Sequence, residues 1–297
     1  MILIKGRIKK IVISPTFECN FHCIHCGLKK TGKSRSVPIL PVKKFLREAR
    51  RIGIKNLEIS GGEPLLNFKK TLKIIKLAKR MKFKIILNTN GYFIAFPNPK
   101  RTIKKLRSVD HIVLSVDYDH LKFISYPRIL DVIKTILNSD IKLSINMTNR
   151  KDTFHENFIL LKRLSDDLHG RLFKLPLLNF SNLNLRYYYL SFNFCIIFCG
   201  KTIPVGIFNT VKTSINKNRV QTQPMKLEQI LYTPCMGSEP LIDYNSIVYP
   251  CCSMQALNHP KLYSAGKVSK KQQKIFDIEN LMLNNIIHGV FPFLKIF

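Results

Sequence analysis

The first 150 residues alternate short apolar runs with basic amphipathic stretches, and this alternation constrains the fold more than any other feature. The predicted strands are 8–14, 56–60, 83–90, 111–117 and 141–147, and the predicted helices are 41–52, 68–79, 100–106, 129–138 and 158–166. Strands that alternate with helices favour a parallel sheet with helices outside it. Because the connections in such units are right-handed, the sheet either curls into a barrel or stays open and doubly wound.

The alternation fades near residue 180. Residues 171–180 suggest one more strand, and 187–200 form the longest stretch without charge. That stretch is shorter than the ~20 residues needed to span a bilayer, so it predicts a buried strand or hairpin. The last third has fewer clear helices and holds five of the eight cysteines. We therefore expect two domains, a core over 1–180 and a small module over 181–297.

Three cysteines directly follow the first predicted strand. The segment ECNFHCIHC places Cys19, Cys23 and Cys26 in a C-x3-C-x2-C spacing. Thiolates suit zinc or the iron of a sulfide cluster, and three of them can cover one face of a [4Fe–4S] cube with one iron left open. A zinc site would need a fourth ligand from His22 or His25, which are cramped for a closed tetrahedron. The spacing favours iron–sulfur and leaves zinc as the alternative.

With this motif the sequence resembles the radical S-adenosylmethionine (SAM) superfamily, in which such a loop follows the first strand. Three further segments match in order: NLEISGGEPLL at 56–66, ILNTNG at 86–91 and VLSVD at 113–117. The resemblance covers roughly residues 8–150 and implies an α/β fold, a partial (β/α)6 barrel of the TIM type. One departure is His25, because the family usually has an aromatic ring before the third cysteine.

The resemblance implies that the three cysteines hold a [4Fe–4S] cluster whose open iron takes the amino and carboxylate groups of SAM. It implies that Gly61 and Gly62 let backbone approach SAM closely, and that Glu63 accepts hydrogen bonds from the methionine ammonium. One electron would then cleave SAM to a 5′-deoxyadenosyl radical that abstracts hydrogen from a substrate. Polar residues at strand ends are expected to bind the ribose, unless they are ordinary turn caps: Ser115, Asp117 and Asn146.

A second cysteine group lies in PCMGSEPLIDYNSIVYPCCSM and comprises Cys235, Cys251 and Cys252. It resembles a truncated C-terminal extension of the SPASM or twitch type, which binds an auxiliary cluster in radical SAM enzymes that modify peptides. No cysteine follows Cys252, so a two-cluster extension is excluded by count, and Ser246 stands where a turn glycine is usual. One auxiliary cluster is expected, and the alternative is a hairpin whose cysteines pack as small hydrophobes. Its fourth ligand would be the substrate or one of Cys195, Cys199 and His259.

The chain carries 49 Lys and Arg against 18 Asp and Glu, a net charge of +31. Such a charge favours an acidic partner, unless it is a composition spread over the whole surface. We expect a radical SAM enzyme that acts on a peptide or protein, with RNA as the alternative substrate because phosphate contacts need Lys and Arg. Against RNA, the aromatic residues do not interleave with the basic ones. A non-enzymatic protein that binds metal and nucleic acid would leave Gly61–Glu63 unexplained.

The N-terminal residues MILIKGRIKKIVIS carry charge too evenly for a signal peptide, and no transmembrane span is expected. Eight cysteines without an export signal favour a reducing compartment, so we expect a cytoplasmic protein. The superfamily chemistry implies an electron donor such as ferredoxin or flavodoxin.

Overall fold

A computed structural model describes residues 10–26, 28, 36–149, 152–169, 171–174, 188–192, 195–201, 240–249 and 266–268. The strands are β1 (Lys10–Ile13), β2 (Asn56–Ile59), β3 (Lys84–Thr89), β4 (His111–Ser115), β5 (Lys142–Asn149), β6 (Arg171–Lys174), β7 (Tyr188–Phe192), β8 (Cys195–Lys201), β9 (Leu241–Ile242), β10 (Ile247–Tyr249) and β11 (Gly266–Lys267). The helices are α1 (Ile39–Arg51), α2 (Phe68–Arg80), α3 (Tyr92–Ala95), α4 (Pro99–Lys105), α5 (Tyr126–Leu137) and α6 (Phe154–Asp167). Short 3-10 helices cover Pro64–Asn67 and His120–Lys122.

All these strands belong to one sheet in the order β11-β10-β9-β1-β2-β3-β4-β5-β8-β7-β6. Counted in this sheet order, the strands from β9 through β1 to β8 are all parallel to one another. The strands outside them, at both edges of the sheet, are antiparallel to their neighbours. The sheet is not closed. It has the architecture of a partial barrel with the helices on one face, so the predicted fold class is confirmed.

The helix-covered face of the sheet is apolar in register across five strands. A single row runs through Ile13, Ile59, Leu87, Ile112 and Leu143, and none of them is more than 1% exposed. Register partners point to the same face, so the row forms a continuous apolar surface under the helices. Burying a side chain of this size contributes about 1.5–3 kcal/mol, which makes the row a main source of the barrel's stability.

The opposite face of the same strands carries polar side chains. Glu58 is paired with Lys10 and accepts a hydrogen bond of 2.6 Å from the Asn88 amide. His111 Nε2 lies 2.7 Å from the Ser144 hydroxyl oxygen. Because parallel sheets are usually apolar on both faces, this polar surface indicates a face that meets water or a polar ligand.

The five strands and five helices predicted over the first 150 residues or so are present, with shifts of a few residues at their ends. The sixth parallel strand is β8, which pairs with β5, whereas the strand expected within 171–180 is the edge strand β6. Within the uncharged stretch, β7 and β8 pair as antiparallel strands, in agreement with the predicted hairpin. Strands from both sides of residue 180 share one sheet, and the division into two domains there stays a prediction.

Beyond residue 201, described structure is limited to the hairpin of β9 and β10 and to β11. Asp243 organises the hairpin turn, because its Oδ1 accepts the backbone N–H groups of Asn245 and Ile247. Ser246 has φ 65, a left-handed conformation that explains why a glycine is usual at this position. Among the described residues, no helix is long and apolar enough to cross a membrane.

Candidate active site

The three cysteines of the N-terminal motif lie on one loop that leaves the carboxyl end of β1. All three are free thiols; Cys19 and Cys23 are half-buried and Cys26 is exposed. The loop turns tightly between the last two, where the Cys26 N–H donates to the Cys23 carbonyl at 3.1 Å. A set of unbridged thiols, partly open to solvent, fits the donor set of an iron–sulfur cluster.

The glycine pair after β2 packs directly on the segment that leads into this loop. A Cβ on Gly61 would lie 2.0 Å from the Ser14 hydroxyl oxygen, and one on Gly62 would lie 2.1 Å from the Glu18 carbonyl oxygen. The Gly62 N–H donates to Thr16 and the Glu63 N–H donates to Glu18. Protein atoms therefore occupy the space that a Cβ would need at either glycine, and the close packing fixes the start of the cysteine loop. Contact of Gly61 or Gly62 with SAM stays a prediction.

The Glu63 carboxylate is 1% exposed and accepts three hydrogen bonds. The donors are the Leu65 N–H at 2.9 Å, the Thr89 hydroxyl at 2.9 Å and the Asn90 N–H at 2.8 Å. Burial raises the pKa of Glu63 to about 7, against the opposing effect of these donors. Glu63 thus joins the ends of β2 and β3. Its Oε2 accepts only one of these three bonds, and contact of this carboxylate with the SAM ammonium stays a prediction.

Asn90 connects this carboxylate to the cysteine loop, a role that the sequence did not reveal. Its side-chain amide donates to the Asn20 oxygen at 3.0 Å and lies 3.6 Å from the Cys19 sulfur. Its side-chain oxygen caps the next turn by accepting the Tyr92 N–H. The available signal was its place at the end of a predicted strand, directly before Gly91.

Two of the expected ribose ligands lie side by side. Ser115 and Asn146 are register partners at the ends of β4 and β5, so their side chains share the polar face. Asn146 is exposed and Ser115 is half-buried, so both are accessible to a ligand.

Asp117, the third expected ribose ligand, is only 1% exposed and already has internal partners. One carboxylate oxygen accepts the His120 N–H and lies 2.8 Å from His120 Nδ1, and the other accepts the Thr148 N–H. Burial alone would raise the pKa of Asp117, but the hydrogen bonds and charge of His120 outweigh it and lower that pKa. A ribose contact of Asp117 stays a prediction and would compete with these bonds.

A second loop, Asp117 to Lys122, packs against the cysteine loop through two histidines. His120 Nε2 lies 3.8 Å from the Cys23 sulfur, and His25 Nδ1 lies 3.3 Å from an Asp119 oxygen. Burial would lower the pKa of His120, but Asp117 and Cys23 raise it to about 10. The His25 imidazole thus fills the aromatic position by pairing with a carboxylate. His120 and Asp119 were not predicted; their signal was a histidine and two acids directly after β4.

His25 and His120 also bear on the alternative that the cysteine motif binds a single metal ion such as zinc. Ligand atoms of Cys23, His25 and His120 all lie within 4.8 Å of one another, a separation from which a single ion could be held. This group shares Cys23 with the cluster motif, so it would compete with a cluster for the same thiolate.

The second cysteine group, Cys235, Cys251 and Cys252, lies outside the described residues, as does His259. Cys195 and Cys199 lie in β8, opposite Leu143 and Met147 of β5. An auxiliary cluster therefore stays a prediction.

A profile of the radical SAM superfamily matches residues 13–161, which include the cysteine loop, Gly61–Glu63, β3 and β4. The chain belongs to the radical SAM superfamily. Members of this superfamily are enzymes that use SAM and a [4Fe–4S] cluster, so membership implies both cofactors for this chain.

Individual relatives are more distant. YydG of Bacillus subtilis (strain 168), which is named for peptide biosynthesis, is 23% identical over 82% of this chain and 69% of its own length. GTP 3′,8-cyclase of Clostridium acetobutylicum is 30% identical over 52% of this chain and 48% of its own. The chain thus spans about half the length of that cyclase.

Solved structures agree on the fold. Streptococcus suis SuiB bound to precursor peptide SuiA aligns with a TM-score of 0.55 and 18% identity over 94% of this chain and 64% of SuiB. The protein anSMEcpe, with bound SAM and a peptide, aligns with a TM-score of 0.58 and 15% identity over 95% of this chain and 82% of its own. At these identities the likeness establishes the shared architecture alone.

Proposed function

We propose that this enzyme reductively cleaves SAM at a [4Fe–4S] cluster held by Cys19, Cys23 and Cys26, and abstracts hydrogen from a peptide or protein. The cluster, when bound, would supply the electron that releases a 5′-deoxyadenosyl radical from SAM. The observation that carries the proposal is the chain of contacts from Glu63 through Asn90 to Cys19. These contacts connect Glu63 of the glycine-glycine-glutamate motif to Cys19 of the cysteine motif. They join the ends of β1, β2 and β3.

The protein's own residues would orient SAM above the sheet. In this proposal Glu63 binds the methionine ammonium of SAM through the remaining lone pair of Oε2. Ser115 and Asn146 would bind the ribose hydroxyls, because these two side chains are adjacent and accessible. The Asp117–His120 pair would hold Cys23 in position. Burial of Glu63 strengthens any contact that it makes with a cation, since little water competes there.

A peptide substrate is supported by the relatives rather than by the site alone. YydG is named for peptide biosynthesis, and both SuiB and anSMEcpe have been solved with peptides bound. The polar face of the sheet around Glu58 and His111 suits the polar backbone of a peptide. An RNA substrate and a non-enzymatic role have no comparable support. A ferredoxin or flavodoxin is proposed as the electron donor.

Counting iron and sulfide after anaerobic reconstitution tests the cluster. We expect about four irons per chain that are lost in a Cys19→Ala, Cys23→Ala, Cys26→Ala variant. A matched Cys235→Ala, Cys251→Ala, Cys252→Ala variant should keep those four. About eight irons, with four lost in each variant, would add the auxiliary cluster. Zinc in place of iron would contradict the proposal.

A further inference from the structure

Within residues 39–169 the positive charge is concentrated in the first half of the barrel. Residues 39–107 contain 19 Lys and Arg and 3 Asp and Glu, a net charge of +16. Residues 108–169 belong to the other half of the same barrel. They contain 8 Lys and Arg and 9 Asp and Glu, a net charge of −1. A lysine-rich composition alone would load both halves, so the asymmetry requires another explanation.

Most cations of the first half lie on α1, α2 and α4, and we call the outer faces of these three helices the basic wall. On α2 an exposed stripe recurs at every helical turn: Lys69, Lys73, Lys76 and Arg80. On α4 four exposed cations pair at a spacing of four residues: Lys100, Arg101, Lys104 and Lys105. On α1 the wall contains Lys43, Arg47, Arg50 and Arg51. The helices are neighbours around the sheet, and Lys105 Nζ lies 5.8 Å from the Phe68 ring centre, which joins α4 to α2.

No exposed carboxylate within residues 39–107 neutralises the wall, and one cation of α2, Lys79, is paired from outside this segment by Asp110. The acids within the segment are Glu48, Glu58 and Glu63, and none of them is exposed. Glu48 forms an ion pair with Arg51, and Glu58 forms one with Lys10. Glu63 is buried at the candidate active site. Like charges four residues apart destabilise a helix, and a one-sided charge of this size also repels itself. Such a surface is suited to a polyanionic partner that repays this cost on binding.

The chemistry of the wall favours carboxylates over single-stranded bases. The aromatic residues of the three helices are Phe45, which is buried, and Phe68, which is half-buried. Binding of single-stranded nucleic acid relies on exposed rings on which bases stack, and these helices offer none among their described side chains. The wall also lies on the outer side of the helices, whereas the cysteine loop lies at the carboxyl ends of the strands. A ligand on the wall would therefore contribute recognition rather than chemistry.

We propose that the basic wall binds an acidic segment of the peptide substrate, remote from the residue that reacts. The inference rests on the proposed function, since it names the recognition surface for that substrate. Binding energy from a part of the substrate that does not react can hold the reacting part in place, which makes such a surface useful to an enzyme.

Fluorescence anisotropy of the reconstituted full chain tests this proposal with a fluorescein-labelled alternating Glu–Ala peptide. A Lys73→Glu, Lys76→Glu variant should lose about tenfold in affinity, since it replaces two attractions by two repulsions. A Lys134→Glu, Lys162→Glu variant carries the same charge change at exposed positions of α5 and α6, and should lose less than about twofold. Binding should weaken with salt and be absent for the alternating Gln–Ala peptide.

Three results would overturn the proposal. Equal losses in the two variants would show that net charge alone attracts the peptide. Absence of Glu–Ala peptide binding at low salt would show that the basic wall is not a binding surface for acidic peptides. Tighter binding of an RNA duplex than of the Glu–Ala peptide, with the same loss in the Lys73/Lys76 variant, would assign the wall to nucleic acid. The proposed function is judged separately, by 5′-deoxyadenosine formation in the unmodified chain without any peptide.

Discussion

The imidazole of His120 bridges the carboxylate of Asp117 and the sulfur of Cys23. Its Nδ1 lies 2.8 Å from Asp117 Oδ1 and its Nε2 lies 3.8 Å from Cys23 Sγ. A carboxylate can only accept hydrogen bonds, and so would the Cys23 thiolate if it held a cluster, so a ring between them is satisfied when both nitrogens carry a proton. The end of β4 therefore acts on the cysteine loop through one side chain.

Replacing His120 by Phe should lower the reduction potential of the bound cluster. The phenyl ring preserves packing against Phe21 and His25 but removes the donor to the Cys23 sulfur, and hydrogen bonds to cluster sulfurs help to set the potential. Loss of the ring nitrogens also removes the side-chain donor to the buried Asp117, which then keeps only the backbone N–H groups of His120 and Thr148, at a cost of about 1–3 kcal/mol. A redox titration followed by electron paramagnetic resonance measures the shift. A His155→Phe variant, at an exposed position of α6, is the control. An unchanged potential would refute this role.

Glu63 should make the stability of the fold depend on pH. Its pKa is raised by burial from 4.5 to about 7, so between these pH values the folded chain keeps a proton that the unfolded chain has lost. The free energy of unfolding therefore falls as pH rises through this window, by on the order of 3 kcal/mol.

Urea unfolding on both sides of that window measures the slope for the unmodified chain and for Glu63→Gln. The amide does not titrate, so the variant should show a flatter pH dependence. Asp131→Asn, at an exposed carboxylate on α5, should retain the slope of the unmodified chain. A slope that survives in Glu63→Gln would assign it to another group.

Gly62→Ala should disrupt the cysteine loop. The added Cβ would meet the Glu18 carbonyl oxygen at 2.1 Å and push apart two backbone segments that hydrogen bonds hold together. We expect a loss of about 1–3 kcal/mol in stability together with poor retention of iron.

Gly53→Ala separates this contact from ordinary glycine effects. Gly53 has φ +89, but nothing lies within 4 Å of the position that a Cβ would occupy there, so alanine adds backbone strain without a clash. It should cost about 1 kcal/mol and retain iron fully. Equal iron loss in both variants would contradict the role assigned to Gly62.

Ser246→Gly should stabilise the hairpin of β9 and β10. Ser246 has φ 65, a conformation that costs a residue with a Cβ about 1–2 kcal/mol, part of which glycine recovers. Thermal unfolding should show an increase of about 1–3 °C in Tm. Ser246→Ala keeps the strain and should give no increase; an equal gain in both variants would point to the hydroxyl instead.

The order of strands and helices and the cysteine loop could be predicted from sequence because each depends on local patterns. The apolar row from Ile13 to Leu143 follows directly from alternation within single strands. The roles of Asn90 and His120 could not be predicted, since they depend on which loops meet at the carboxyl end of the sheet. The same holds for β8, whose place beside β5 is a long-range pairing. Gly62 stands out in the sequence as part of a motif, but its packing on Glu18 is visible only in the structure.

Formation of 5′-deoxyadenosine from SAM tests the central claim most directly. The anaerobically reconstituted chain, given dithionite and SAM, should produce it, and a Cys23→Ala variant should produce none. A His22→Ala variant, which changes an exposed neighbour in the same loop, should retain the activity. A chain that binds four irons through the three cysteines but forms no 5′-deoxyadenosine would contradict the account.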